Sequence, residues 1–400
     1  MMLLGIGGIK ALEELKIKPT KYHLNESHAA FGVLELLKKY GKNTKQKLVF
    51  TTHTPAEHGH KKMSLDSLKY YLGDYFRYIN KDLFIDNVLN LTTFCLDNAG
   101  YSNAVAQRHS EISGKMFSSY KIDYVTNGIN SNYWVSNENK KIFNTYIKDW
   151  QNRPDALRNS HLIPDRDLIK SHSISKQNLI DYVKKHTHHE LRKDVFTIGF
   201  ARRVDGYKRS NLIFKDIDRL RYIAKRHGGL QLIFSGKAYF NYGPAEEVIK
   251  NIYALSKEDF KYLKVVYLED YSIEISKLMT AGVDCWLNNP IKPLEASGTS
   301  GMKAALNGVP NFSTIDGWWV EGCIEGVTGW SIGEDYNVNS QTDEQYELDN
   351  MYHKLDSEIL KIYQTNLSKW LKIKKNAIAL NANYFNTHRM MSEYINKAYF

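Results

Sequence analysis

Cysteine is scarce in this sequence of 400 residues, and the three present, Cys95, Cys285 and Cys323, have no metal-ligand spacing. That excludes a disulfide-stapled scaffold and fits a chain kept reduced in the cytoplasm. Long apolar runs are missing too. No stretch approaches the length needed to cross a membrane. The opening MMLLGIGGIKALEELK has too short an apolar run for a secretion signal, and charge follows that run instead of leading it. There is no low-complexity tract and no internal repeat. The formal charge is +10, yet Lys and Arg are scattered without the clustered stripe of a nucleic-acid surface. Such a charge favours an anionic ligand without saying which one. Histidines bunch in AEHGHKK and KKHTHHE, but no carboxylate–histidine pattern at helical spacing accompanies them, so no metal is expected. GIGG near the start is only a fragment of a dinucleotide fingerprint, with no adequate strand before it.

What is there has the balance of a soluble globular enzyme: 42% hydrophobic and 24% charged residues. The length favours two domains. From about residue 195 short apolar runs alternate with amphipathic helices. VFTIGFA (195–201), LQLIFSG (230–236), VVYLED (265–270) and VDCWLN (283–288) read as buried strands. NLIFKDIDRLRYIAK (211–225) reads as a helix with Ile213, Ile217, Leu220 and Ala224 on one face. This alternation predicts an α/β fold with a parallel sheet covered on both faces, and ligands at the carboxyl ends of its strands. The first part is less regular. PTKYHLNE (19–26) and KLVFTTHTP (47–55) are strand ends running into polar loops, with a helix at 27–40 between them. Residues 97–117 read as a helix entered through a Gly turn, and DYVTNGI (123–129) as a strand ending in an Asn-Gly turn. The polar stretch 150–194 reads as an interdomain connection, and 333–350 as a surface loop.

One segment carries chemistry more plainly than the rest. EASGTSGMKAALNGV (295–309) follows a strand and opens a helix, with Lys303 just past a turn rich in glycine and hydroxyl groups. It is not a nucleotide-triphosphate loop, because Met302 precedes the lysine and Ala304 follows it. A second segment, GFARRVDGYKR (199–209), sets Arg202, Arg203 and Lys208 at the end of a predicted strand.

Together these segments resemble the α-glucan (glycogen, starch, maltodextrin) phosphorylases, most closely their short prokaryotic branch. HLNESHAAF, TTHTP, VTNGI, VVYLEDY, NGVPNFSTIDGWW and FNTHRMMSEYINKAY match in the same order over nearly the whole chain. The resemblance implies two Rossmann-like domains facing a cleft, the GT-B type of glycosyltransferase. Residues 1–150 would be the carboxyl-side part of the first domain, 151–194 the connection, 195–385 the second domain, and 386–400 a C-terminal helix returning to the first. It implies reversible phosphorolysis of α-1,4-glucan to α-D-glucose 1-phosphate, with retention. Lys303 would form a Schiff base with pyridoxal 5′-phosphate, the reaction of an unprotonated amine. The turn Gly298-Thr299-Ser300 would offer N–H groups to the cofactor phosphate, with Arg202 beside it and Tyr271 near the cofactor. Arg203 and Lys208 would hold inorganic phosphate. His53 would lie beside the glucosyl residue with its carbonyl facing the anomeric carbon. Asn127, Glu295, Ser297 and Gly298 would bond sugar hydroxyls, and His28 would lie at the cleft.

The family's proteins are longer at the amino terminus, so the first domain is expected to be incomplete. Either a separate polypeptide supplies the remainder or the chain is a truncated product; a homo-oligomer also stays open. Two other functions compete with phosphorolysis. One is a retaining glycosyltransferase of the same fold that uses a nucleotide sugar and needs no aldehyde cofactor. The other is a non-catalytic subunit of a split phosphorylase.

Overall fold

The computed structural model describes residues 1–238, 243–334 and 343–400. The chain packs as two units, each built on a parallel sheet. The first comprises Met1–Thr126, Pro293–Ser297 and Met390–Phe400. Its strands are β1 (Tyr22–Asn25), β2 (Leu48–Thr51), β3 (Lys62–Ser64), β4 (Phe84–Ile85), β5 (Val88–Asn90), β6 (Tyr101–Ala104) and β7 (Asp123–Tyr124). β1, β2, β6 and β7 pair in that order, all parallel, while β3, β5 and β4 form a small antiparallel sheet. β2 is buried at every residue because it is central, and Leu48 and Phe50 pack with Val33, Leu34 and Leu36 of the helix Gly32–Tyr40. The expected helix at 97–117 is corrected here. β6 comes first, pairing Tyr101 with Val49, and the helix spans only Gln107–Met116. Tyr-Ser-Asn-Ala has little strand propensity of its own; pairing with a central strand decides it. The last residues return to this unit, where Tyr394 and Ala398 pack on Val49 and Val125. Lys397 Nζ donates to the Tyr124 carbonyl at 2.9 Å.

The second unit comprises Asn127–Lys292 and Gly298–Arg389. It holds β8 (Phe196–Ala201), β9 (Leu230–Ser235), β10 (Leu263–Leu268), β11 (Cys285–Asn288), β12 (Asn311–Thr314) and β13 (Gly329–Ile332). These pair in parallel in the order β10-β9-β8-β11-β12-β13. β8, β9 and β11 are wholly buried, which is why they read as unbroken apolar runs. The expected helix at 211–225 begins only at Ile217. Asp216 caps it by accepting the Arg219 N–H at 2.9 Å, and Ile213 lies in a separate buried turn. Of the loop expected at 333–350, residues 335–342 lie outside the described residues. From Glu344 to Lys354 the chain is helical, capped by Asp343, with Leu348, Met351 and Tyr352 buried.

The units divide at Thr126, not near 150 and 194. Most of the stretch expected to be a connection is the 22-residue helix Asp165–His186, whose Leu168, Leu179, Ile180 and Val183 are buried. Acidic residues in its first turn and basic ones in its last suit the aligned peptide dipoles. Asp284 binds this helix to the sheet. Its carboxylate accepts from Lys176 Nζ at 2.6 Å and from the Thr197 N–H at 2.8 Å, and His172 Nε2 lies 3.0 Å away. Lys176 and His172 hold that carboxyl far below the ordinary range against the opposing effect of burial.

Candidate active site

In the second unit the strand order turns at β8. From there the chain runs outward through β9 and β10 on one side and through β11, β12 and β13 on the other. That makes the carboxyl ends of β8 and β11 a topological switch point, where open parallel sheets bind ligands. The loop after β8 carries Arg202, Arg203 and Lys208; the segment after β11 leads to Lys303. Arg202, the first residue past β8, donates through Nη1 to Asn288 Oδ1, the last residue of β11.

Lys303 lies on the short helix Ser300–Leu306. Gly298 enters it with φ +79°, a conformation that favours glycine. Met302, Ala304, Ala305 and Leu306 are buried, so the helix is packed around the one half-buried lysine. It sits close to its neighbours: a Cβ on Gly301 would meet Asn311 Oδ1 at 2.3 Å and the Trp318 ring at 2.7 Å. The Lys303 ammonium lies 3.7 Å from the centroid of the Trp134 ring. Burial lowers its amine from 10.5 to about 8. The ring face acts the other way, favouring the charged form by about 0.5–2 kcal/mol, and burial outweighs it. Asn307 holds this arrangement. Its Nδ2 donates to the carbonyls of Lys303 (2.9 Å) and Trp134 (3.0 Å), and its Oδ1 accepts the Ser136 N–H at 2.8 Å. Ser300 Oγ accepts from Trp286 Nε1 at 3.2 Å, which leaves its own proton for another acceptor. Tyr271 packs on the cluster that contains Ala304 and Val309.

The basic loop is held in a strained turn. Arg209 has φ +47°, and its buried guanidinium donates to the carbonyls of Asn289 and Pro290, each at 2.9 Å, and pairs with Glu347 at 2.6 Å. Such backbone persists only where surrounding contacts over-determine it. The result keeps Lys208 buried, 4.1 Å from the Tyr207 ring centroid, while Arg203 is exposed. Asn127 begins the turn Asn127-Gly128-Ile129, which is pinned to Phe385-Asn386-Thr387 by Ile129 and Thr387 N–H groups. A Cβ on Gly128 would meet the Asn386 carbonyl at 2.2 Å. The histidine-rich KKHTHHE lies elsewhere in this unit, along a cavity of about 550 Å³ with Tyr253, Lys257 and Glu269; Lys303 does not line it.

The first unit carries the other predicted residues. His28 and His53 follow the carboxyl ends of β1 and β2, which are neighbours in the sheet. His28 is exposed and His53 is half-buried. Burial lowers the His53 imidazole below its usual value and His28 adds to this, while Glu26 opposes it. Glu295 and Ser297 are buried in the Pro293–Ser297 segment of this unit. A polar network lies at the same end of the sheet: His23 Nε2 is 2.6 Å from Thr51 Oγ1, which donates to Asn103 Oδ1 at 2.8 Å.

The sequence profile of the carbohydrate phosphorylases matches residues 85–329, more than half of the chain. The chain belongs to the carbohydrate phosphorylase family. It is 34% identical over 441 aligned positions to the maltodextrin phosphorylase of Thermococcus litoralis, covering all of this chain and 53% of that protein. It is 32% identical to the glycogen phosphorylase of Aquifex aeolicus, covering all of this chain and 65% of that one. To the glycogen phosphorylase of Mycobacterium tuberculosis it is 28% identical, over 83% of this chain and 45% of that protein. The chain thus spans about half the length of the curated relatives it matches.

Within this phosphorylase-family chain the predicted residues form two groups, one on each unit. Four residues with definite structural roles escaped the sequence reading: Trp134, Asn307, Arg209 and Glu26. Three of them stand inside quoted segments, Asn307 in KAALNGV, Arg209 in DGYKR and Glu26 in HLNESHAAF, but nothing in a string shows which backbone groups they face.

Proposed function

We propose that the chain carries the reaction centre of an α-1,4-glucan phosphorylase, which moves a glucosyl group from glucan to inorganic phosphate and yields α-D-glucose 1-phosphate with retention. The observation that carries this reading is the half-buried Lys303, its amine lowered to about 8 under the Trp134 ring. A solvated surface lysine would be almost wholly charged, whereas this one can react with an aldehyde near neutral pH. The donor set fits pyridoxal 5′-phosphate. Lys303 would bind its aldehyde carbon; Thr299, Ser300 and Arg202 would take its phosphate; Tyr271 would lie near it. Pyridoxal phosphate bound there would supply a phosphate able to exchange a proton with inorganic phosphate.

The chain's own residues supply the rest. Two phosphates brought together repel, by several kcal/mol per unit-charge pair at close range in a protein-like dielectric, on the order of 4 kcal/mol at 4 Å. Arg203 and Lys208 offset that repulsion and orient the inorganic phosphate, and Arg209 keeps their loop in place. Trp134 covers one side of the amine. On the first unit, His53 would support the glucosyl group through its main-chain carbonyl, with His28, Glu295 and Ser297 bonding the sugar; Asn127 and Gly298 of the second unit would add to these. We infer for the whole a GT-B architecture with two Rossmann-like domains. The first unit's sheet ends at the short strand β1 among the described residues, which supports a further segment or a separate polypeptide completing it.

Purified protein incubated with pyridoxal phosphate and reduced with borohydride should carry the label on Lys303, and should phosphorolyse maltodextrin once the first domain is complete. Lys303→Ala should lose label and turnover together. Turnover by Lys303→Ala without added cofactor would overturn the reading.

A further inference from the structure

Glu26 is the first residue past β1, and its backbone is unusual: φ is +65° and ψ 172°, a region that side-chain-bearing residues rarely occupy. The residue is buried, 8% exposed. Oε1 accepts the Ser27 N–H at 2.9 Å. Oε2 accepts the His53 N–H at 2.7 Å and the Thr54 hydroxyl at 3.0 Å, with the Thr52 hydroxyl at 3.4 Å. Its own N–H donates to the Thr51 carbonyl at 2.8 Å. One buried carboxylate therefore gathers the whole turn Thr52-His53-Thr54 at the end of β2. Burial opposes its ionisation, but the N–H groups of His53 and Ser27 prevail and keep the carboxyl below its usual range.

A bland role would be the capping of the short turn Ser27–Ala29. One acceptor would suffice for that, and a backbone in ordinary conformation would serve. Here the second oxygen is spent on a different loop, and the strained φ is what turns the side chain toward it. We propose that Glu26 is a positioning residue, fixing the main chain at His53 so that the glucosyl-side loop keeps one geometry through turnover. The proposal rests on the phosphorolysis reading of the site. The chemistry calls for a carboxylate and not an amide. Each oxygen faces a backbone N–H that cannot rotate away, so a glutamine would set its NH₂ against either Ser27 or His53 whichever way it lay. The hydroxyls of Thr52 and Thr54 could adapt; the two amides could not.

The test compares wild type, Glu26→Gln and Thr54→Val in the whole chain, with three readouts, the kinetic one taken with the first domain completed. These are amide hydrogen exchange, borohydride-fixed cofactor on Lys303, and separate kcat and KM values for phosphate. In Glu26→Gln the His53 and Thr54 amides should exchange at least tenfold faster, while β2 and β6 keep their protection. Its kcat should fall roughly thirtyfold to a hundredfold, with KM for phosphate within about twofold and Lys303 labelling unchanged. Thr54→Val removes one hydroxyl contact and keeps the charge, so it should lose only severalfold in kcat; it carries the test if Glu26→Gln does not fold. Unchanged exchange at His53, or a kcat within threefold of wild type in both variants, overturns the proposal. Wild-type protein that takes no cofactor on Lys303 overturns the phosphorolysis reading instead, a result separate from the exchange measurement.

Discussion

Replacing Trp134 with alanine tests the central physical claim about Lys303, and it needs no turnover. Two effects of the ring oppose each other. As a π face 3.7 Å from the ammonium it stabilises the charge, and as a cover it keeps water away. With burial holding the amine at about 8, about a quarter of it is neutral at pH 7.5; at the ordinary 10.5 the fraction is about one in a thousand. Removing the ring forfeits about 0.5–2 kcal/mol of cation–π attraction, the upper figure applying to a desolvated site, which by itself would lower the amine by at most about 1.5 pH units. Readmitting water raises it by up to the whole interval between 8 and 10.5, so re-wetting wins. The neutral fraction at pH 7.5 should drop at least tenfold, and the rate of pyridoxal phosphate uptake with it.

Competitive labelling measures this directly. Cofactor-free protein is exposed to a limiting acylating reagent from pH 6 to 11, and the Lys303 peptide is quantified by mass spectrometry against exposed lysines. Wild type should reach half-maximal labelling near pH 8, Trp134→Ala above 9, and Trp134→Phe between them. A wild-type midpoint at or above 10 would refute the argument that burial prepares the amine. An unchanged midpoint in Trp134→Ala would show that the ring is not what keeps it dry.

Arg203→Ala and Lys208→Ala should each weaken phosphate use tenfold to a hundredfold in kcat/KM, since a charge-assisted contact contributes about 1.5–3 kcal/mol. Lys303 labelling should persist in both, and wild-type kinetics at low phosphate would remove these residues from the phosphate site. Asp284→Asn strips the counter-charge from buried Lys176 and should cost about 3–5 kcal/mol, seen as a large fall in melting temperature that a second change, Lys176→Met, partly restores. Burial lowers His23, His109 and His172 to about 4, whereas in the unfolded chain each titrates near 6.5. Stability is therefore intact above about pH 6.5 and lost as the pH falls toward 4, because the unfolded chain takes protons that the folded one refuses. Each histidine contributes a slope of up to about 1.4 kcal/mol per pH unit; a urea midpoint that stays flat from pH 7 to 5 would contradict the burial.

How far these features were legible in the sequence depends on what kind of interaction fixed them. β8, β9 and β11 were readable because both faces are covered and the composition reports it directly. β6, β12 and β13 were not, because YSNA, NFST and GWSI mix polar and apolar residues for reasons outside the segment. Asn103 is there to bond Thr51 and Tyr394, and Asn311 to bond the Gly301 carbonyl. The same division runs through the candidate site. Lys303, Arg202, Arg203 and Lys208 stand in local patterns that announce charge beside a flexible turn. Trp134 faces Lys303 in an arrangement that Asn307 ties together by bonding both their carbonyls. Arg209 and Glu26 look like an ordinary surface charge in the string, and each becomes definite through a positive φ that aims it at backbone groups on another loop. Sequence patterns thus disclose the groups that do chemistry more readily than the groups that hold them still. The latter are recognised by the backbone amides and carbonyls they satisfy, and those are brought together only when the sheet is assembled.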